Sequence, residues 1–395
     1  MNFWKYIFFL GIFLIFYNYI GYAIIVFLIN RFSPKFNNKI AENYHPSVSF
    51  IVAAYNEQEI IEEKIRNSLK QVYPPSKIEF IFIADGSSDN TASIIGSYPK
   101  VKLMHLSERK GKSAALNRAT LAARNDILII SDANTFLNAE AVKLIVSHYQ
   151  DRFVGGVAGE KRIMKLSDEI DSIGEREGFY WRYESFLKKI DSEFYSVVGA
   201  AGELFSVRRD LYEAIPESTI LDDFVISLKT AQKGYRIIYE PLAYAMELPS
   251  LSLKEEKKRK IRIAAGGFQA IQMLSSLFKF WKHPRLSFLY ISHRVMRWVV
   301  SPFCLIMVLI SNSVIVLKEN TLFYFSCLVT QIIFYIISLI SPSISSNSRI
   351  KSFKFAGYFV FMNVSVIQGF FRFIFNKQQA TWEKANRQTM KINID

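Results

Sequence analysis

The chain is poor in cysteine, with only Cys304 and Cys327 in 395 residues. Both fall inside uncharged apolar runs, which excludes a disulfide framework and a cysteine zinc site. Histidine is scarce too, and the five present are scattered with no metal-ligand spacing. No G-x-x-x-x-G-K-[ST] occurs and no G-x-G-x-x-G follows the first strand-like segment, so the usual phosphate-cradling loops are missing. Nor is there an internal repeat or a low-complexity linker. Acidic residues are in deficit, 35 against 49 Lys and Arg, for a formal net charge of +14. A surplus of that size suits either nucleic acid or a membrane surface. Position decides between them. The cations gather beside apolar runs, as Arg31, Lys35 and Lys39 after the first and "KEEKKRKIR" (Lys254–Arg262) before the second. That placement points to lipid and to orientation in a membrane, and against nucleic acid as a partner.

Hydrophobic residues, by contrast, make up 50% of the chain. Tyr6 to Asn30 holds no charge over about 25 positions, more than the roughly 20 that a spanning helix needs. It is too long for a signal-peptide core and no small-residue cleavage site follows, so it reads as a retained anchor. Trp298 to Leu317 and Thr321 to Ile340 should also span, while Phe355 to Phe371 is shorter and carries Asn363, Ser365 and Gln368. The expected organisation is an anchor at 1–31, a catalytic domain at 46–252, basic and interfacial amphipathic helices at 253–297, two or three spans within 298–375 and a tail at 376–395. The stretch "IAAGGFQAIQMLSSLFKFW" suits either the membrane surface or packing on the soluble domain.

The soluble region alternates strand and helix. "VSFIVAAY" precedes an amphipathic segment with Ile61, Ile65 and Leu69 on one face, and "KIEFIFIAD", "VKLMHLS" and "DILIISDAN" are further strands separated by helical stretches. Repeated βα units predict an α/β fold with a parallel sheet, helices on both faces and ligands beyond the carboxyl ends of the strands. Asp85 and Asp89 end the second strand, and Asp132 and Asn134 end the fourth. Asp89 also reads as a helix cap. Two acidic strand ends on one rim suit a hard divalent cation, Mg²⁺ or Mn²⁺, offsetting a nucleotide diphosphate, with Asp132 as its ligand.

These segments, together with "ADGSSDNT", "KSAALNRA", "GAAGELFSVRRDLY" and "LDDFVISLKTAQKGYRIIYEP", resemble family 2 inverting glycosyltransferases of the GT-A fold, over roughly residues 46–265. With flanking spans, the chain looks like the polysaccharide-synthase branch that includes cellulose, chitin, hyaluronan and poly-N-acetylglucosamine synthases. The resemblance implies that Ala54, Tyr55 and Glu57 border the nucleoside, that Asp85 bonds the base and that Lys112 lies near the diphosphate. A solvated helix-surface lysine is the plain alternative for Lys112. The family's D-x-D appears as Asp132-Ala133-Asn134, leaving one carboxylate and an amide for the metal or the donor. Asp223 takes the general-base position with Asp222 beside it, although both also suit helix capping. Where processive members carry Q-x-x-R-W, this chain has "RKIRI": Arg262 keeps the arginine, while Arg259 and Ile263 replace glutamine and tryptophan. The implied protein is a cell-membrane glycosyltransferase with a cytosolic catalytic domain. Its partners would be a nucleotide-sugar donor, UDP-linked in this branch, a glycan or lipid-linked acceptor, membrane lipids and export machinery. Single-sugar transfer and an inactive nucleotide-sugar-binding scaffold stand as alternatives. Charge places the soluble domain inside. Arg349, Lys351 and Lys354 mark an inner loop, and Arg372, Lys377, Lys384, Arg387 and Lys391 mark an inner tail. On that reading Phe355–Phe371 enters and returns, or lies in the interface.

Overall fold

The computed structural model describes residues 2–33, 44–164, 171–248, 252–319, 321–340 and 351–378. Lys35, Lys39, Arg349, Lys384, Arg387 and Lys391 lie outside them. The strands are β1 (Val48–Ala54), β2 (Ile78–Asp85), β3 (Val101–Leu106), β4 (Ile127–Asp132), β5 (Thr135–Leu137), β6 (Val154–Ile163), β7 (Phe205–Arg208) and β8 (Arg236–Glu247). They form one eight-stranded sheet in the order β3-β2-β1-β4-β7-β6-β8-β5. The four strands expected from the apolar runs are the parallel half, with Ala53 level with Asp132. The sheet as a whole is mixed. β7 runs antiparallel to both β4 and β6, and β5 antiparallel to β8. β7 spans only four residues, too short to stand out in the sequence.

Every residue of β1 is buried, because helices cover both faces. One face holds Ile51, Ile81, Leu128 and Ile130, and the other Phe50, Val52, Phe82 and Ile129, so successive side chains feed two cores. Asp89 works as a cap, its carboxylate accepting from Thr91 N at 3.0 Å. Its other oxygen accepts from Gln58 N at 3.2 Å.

Among the described residues, four helices are long and apolar enough to cross a membrane: Asn2–Phe32, Pro284–Lys318, Leu322–Ile340 and Ala356–Ile374. The second starts well before Trp298. Pro284 opens it, and its first turns carry His293, Arg294 and Arg297, which hid it from a search for uncharged runs. Those charges are buried in pairs with the helix Asp171–Phe194. Arg294 Nη1 meets Glu184 Oε2 at 3.0 Å, Arg297 bonds the other Glu184 oxygen, and His293 Nδ1 lies 2.6 Å from Asp191 Oδ2. Tyr22 OH, from the first helix, donates to Asp191 Oδ1 at 2.6 Å. A buried polar knot therefore joins two of these long apolar helices to the α/β domain.

One expectation about the end of the chain, the re-entrant segment, needs correcting. Lys351–Ile374 is one uninterrupted helix of 24 residues, so no irregular re-entrant loop forms there. Asn363 Nδ2 and Ser365 Oγ donate to carbonyls one turn back, and Asn363 Oδ1 accepts from Tyr19 OH at 3.2 Å, which satisfies the polar groups without breaking the helix. The basic stretch at 254–262 belongs to a long helix, Leu253–Met273, capped by Ser252 Oγ accepting from Glu255 N at 3.2 Å. This helix packs on the catalytic domain, Gly266 lying against Ile220 and Leu221, and on the last helix, Phe268 meeting Phe370 with ring centroids 5.2 Å apart.

Candidate active site

β4 ends in Asp132, and the turn to β5 presents Ala133 and Asn134. Lys64 pins that turn from below, its Nζ donating to Ser131 Oγ and Thr135 O at 2.7 Å each. Across the rim, the helix Lys112–Ala122 starts with the lysine singled out by sequence. Lys112 Nζ donates to Asp132 Oδ1 at 2.7 Å and lies 3.4 Å from Asp222 Oδ2. Asp222 and Asp223 form the first turn of the helix Asp222–Gln232, and no side chain caps that helix. The Asp223 carboxylate bonds the Phe224 backbone within that first turn, and Asp222 faces Lys112.

A loop closes over this centre. A Cβ on Gly202 would sit 2.8 Å from Lys112 Nζ, 3.4 Å from Asp132 Oδ2 and 3.5 Å from Asp223 Oδ2, so a side chain there would push the Lys112 ammonium out of its place. The next residue, Glu203, accepts from Lys161 Nζ at 2.5 Å, and Lys161 also bonds Glu247 Oε2. Arg259 Nη1 and Asn134 Nδ2 reach Glu247 at 3.4 Å each.

The charge arrangement shifts these groups in opposite directions. Burial pushes the Asp223 carboxyl up, and neighbouring Asp222 adds to it, to about 7. Burial likewise raises Asp132, with Lys112 opposing and Glu203 and Asp222 reinforcing. Burial pulls Lys112 down, but Asp132, Asp222 and Asp223 outweigh it and hold the ammonium well above the usual lysine range. Burial lowers Arg262 despite Asp222, Asp132 and Asp223.

A cavity of about 820 Å³ gathers most of the residues picked from sequence: Glu57, Lys112, Asp132, Asn134, Asp222, Asp223, Arg259 and Arg262 all line it. Ala54, Tyr55 and Asp85 stand beside it at the ends of β1 and β2. Asp85 is occupied within the protein, accepting from Lys110 N at 3.1 Å, Gly111 N at 2.6 Å and Arg118 Nη2 at 2.8 Å. Its visible effect is to hold the turn that delivers Lys112. Tyr55 lies under the Arg109 guanidinium, 3.6 Å from the ring centroid. Gly86, at φ +65°, lets that arm pass, since a Cβ there would be 2.5 Å from the Arg109 backbone.

Sequence reasoning missed Gly202, Glu203, Lys161 and Glu247. The first two sit in a recognised segment, "GAAGELF", whereas Lys161 and Glu247 come from β6 and β8 with no local signature. Among the described residues, no group of three or more His, Cys, Asp or Glu is arranged to hold a metal by itself. A half-buried carboxylate, Asp132, with surplus negative charge around it nonetheless fits an ion that takes its remaining ligands from a substrate phosphate.

Parallel strands ending in this acid–lysine cluster, under a cavity lined by helices, are the arrangement of a GT-A fold. Residues 49–215 match the Glycosyl transferase family 2 model, and the chain is similar to polysaccharide synthases. It is 29% identical over 288 residues to the poly-beta-1,6-N-acetyl-D-glucosamine synthase of Staphylococcus aureus (strain COL), an alignment covering 69% of this chain and 67% of that protein. Identity to the enzyme of the same name from Staphylococcus epidermidis is 27% over 281 residues, with the same shares. Among solved structures, the mannosyltransferase PcManGT from Pyrobaculum calidifontis, in complex with GDP-Man and Mn²⁺, superposes with a TM-score of 0.70. The match covers 92% of this chain and 98% of that one at 22% identity, a likeness of fold.

Proposed function

We propose that this protein is a membrane-embedded inverting glycosyltransferase that moves a sugar from a nucleotide sugar, UDP-linked, to a growing extracellular or capsular polysaccharide. The observation that carries the reading is the joining of Asp223, Lys112 and Asp132 on one cavity that also reaches the membrane helices. The catalytic domain faces the cytosol, where nucleotide sugars are made. Because the similar staphylococcal proteins are named for a polymer of N-acetylglucosamine, UDP-N-acetylglucosamine is the first donor to try.

The chemistry follows from placement. Asp223 accepts the proton of an acceptor hydroxyl, which attacks the anomeric carbon from the face opposite the leaving diphosphate and inverts it. A carboxyl with a pKa of about 7 is matched to that task near neutral pH. Lys112, and Arg262 and Arg259 from the helix above, stabilise charge on the departing diphosphate. Asp132, with the Asn134 carbonyl, would hold a Mg²⁺ or Mn²⁺ ion, which supplies electrostatic stabilisation of the diphosphate when bound. Ala54, Tyr55, Glu57 and Asp85 border the nucleoside, with Asp85 serving the base through Arg118 and the 110–111 turn. Polymer export would need partner proteins or the membrane helices themselves.

Replacement of the platform tryptophan by Ile263 keeps single-sugar transfer to a lipid-linked acceptor as a second reading. Turnover of UDP-sugars by the purified full-length protein in lipid separates the cases. Lengthening product supports the synthase, one added sugar supports the second reading, and nucleotide binding without turnover overturns both.

A further inference from the structure

We propose that Lys188 reads the acceptor: its ammonium donates to the carbonyl or carboxylate oxygen of a substituent on the acceptor sugar that lies against Trp181. The inference rests on the glycosyltransferase reading above and adds a recognition group that none of the recognised motifs contains.

The helix Asp171–Phe194 builds one wall of the cavity. Tyr180, Glu184 and Lys188 follow one another at intervals of four, with Trp181 seven residues before Lys188, so they share a face, and all four line the cavity together with Asp223. Glu184 is spent on Arg294 and Arg297 of the helix Pro284–Lys318. Glu203, beside Gly202 in the loop over the active centre, acts electrostatically on both Asp223 and Lys188. That ties Lys188 to the base and its acceptor, whereas the nucleoside is expected at the ends of β1 and β2.

Lys188 is buried with no oxygen to bond. It is 2% exposed, and among the described residues its Nζ makes no hydrogen bond. Of the acids around it, Glu160 accepts from Ser185 Oγ at 2.6 Å and from Tyr239 OH at 2.5 Å, and Glu203 accepts from Lys161. The neighbouring lysines differ in this respect. Lys161 bonds Glu203 and Glu247, and Lys260 Nζ lies 3.1 Å from Glu256 Oε1. Lys188 Nζ instead meets the rings of Trp181 and Tyr239, whose centroids are 5.6 and 5.8 Å away. Burial pulls its ammonium below the usual lysine range, with Glu160 and Glu203 opposing.

A buried cation with unused N–H donors costs free energy, and a ligand that brings an oxygen to it recovers much of that cost. A hydroxyl would need an acceptor for its own proton, and both Glu160 oxygens are engaged. A carbonyl or carboxylate oxygen only accepts, so it makes no such demand. Trp181, half-buried at the cavity wall, offers an amphipathic surface of the kind a sugar ring covers. Lys161 and Lys260, 5.0 and 5.7 Å from a Trp181 ring centroid, add positive charge that disfavours an ammonium-bearing sugar in the same place.

The full-length protein in phosphatidylcholine nanodiscs is given UDP-N-acetylglucosamine and, in separate reactions near neutral pH, short β-linked oligosaccharides of N-acetylglucosamine, of its de-N-acetylated counterpart and of glucuronic acid. Transfer is read as kcat/KM for each acceptor in wild type, Lys188→Met and Lys188→Leu. Wild type should prefer an oxygen-bearing acceptor over the free amine by at least about tenfold, and in both variants the preference should shrink to about threefold or less, mainly through the acceptor KM. Whichever oxygen-bearing acceptor is used better identifies the substituent as amide or carboxylate. The preference is a ratio taken within one protein, so partial misfolding of a variant cancels. Equal use of all three acceptors by wild type overturns the proposal without any variant, and so does a preference that survives both substitutions. A protein that ignores all three sugars and transfers only to a polyprenyl phosphate also overturns it, since the ammonium would then serve a lipid phosphate. Wild type that binds no UDP and turns over no UDP-sugar sinks the glycosyltransferase reading along with it.

Discussion

Asp223 is where a single atom exchange should be most telling. Asp223→Asn preserves size but removes the base, so transfer should fall to background while nucleotide binding and thermal stability stay near wild type; retained turnover would remove Asp223 from the mechanism. The acid form of Asp223 cannot accept a proton, and its pKa is raised. Accordingly kcat/KM, which reports the free protein, should be at plateau above pH 7 and fall as pH drops through about 7. An unperturbed aspartate would hold the plateau down to about pH 4, so the measured inflection discriminates. Gly202→Ala tests the loop. Its new methyl would meet Lys112 Nζ at 2.8 Å, and the expected outcome is a large loss of kcat in a protein that still melts cooperatively. Asp132 was legible as a carboxylate at a strand end in a βα pattern, whereas Lys112, Asp222 and Asp223 were singled out only through the motifs that resemble the family. Lys161 and Glu247 were not. They sit within strands more than 80 residues apart in sequence, as a pair recorded by a single buried contact, and nothing local marks either as belonging to a site.

Among the elements, the helix Pro284–Lys318 shows how pairing defeats a hydropathy argument. His293, Arg294 and Arg297 look like a cytoplasmic flank, yet they are inside the helix and matched by Glu184 and Asp191. Burial pushes the Glu184 carboxyl up, but Arg297 and Arg294 outweigh it and hold it well below the usual range. Removing one member of such a buried set leaves the others uncompensated. Glu184→Ala should therefore cost about 3 kcal/mol or more and lower the melting temperature of the detergent-solubilised protein markedly, whereas a change at exposed Glu217 should not. Indistinguishable melting curves would mean that the knot contributes little. The strands β1 to β4 were readable from their apolar runs, since strands covered on both faces need hydrophobic residues throughout. β7 was not, because its place depends on β4 and β6 presenting open edges to it.

For the molecule as a whole, ion dependence ties the acid rim to the donor. Chelation should abolish transfer, and Mn²⁺ or Mg²⁺ should restore it better than softer metals, because carboxylate and phosphate oxygens are hard ligands; full activity in excess chelator would refute that assignment. The overall plan was already present in the chain. Uncharged runs of about 20 residues have to leave water, and alternating β-rich and amphipathic segments have to stack as layers. The motifs could then be placed on the strand ends before any coordinates were known. Charge in the tail already argued that the last apolar segment does not cross, but the neighbour it packs on was out of reach of such reasoning, as was the way Gly202, Glu203 and the Arg259 helix close over Lys112. Hydropathy measures how much a segment prefers an apolar setting, and lipid and a neighbouring helix satisfy that preference alike. Only the packing of Gly369 against Ala264, and the arrival of Arg372 and Lys377 at the cavity, distinguish the two.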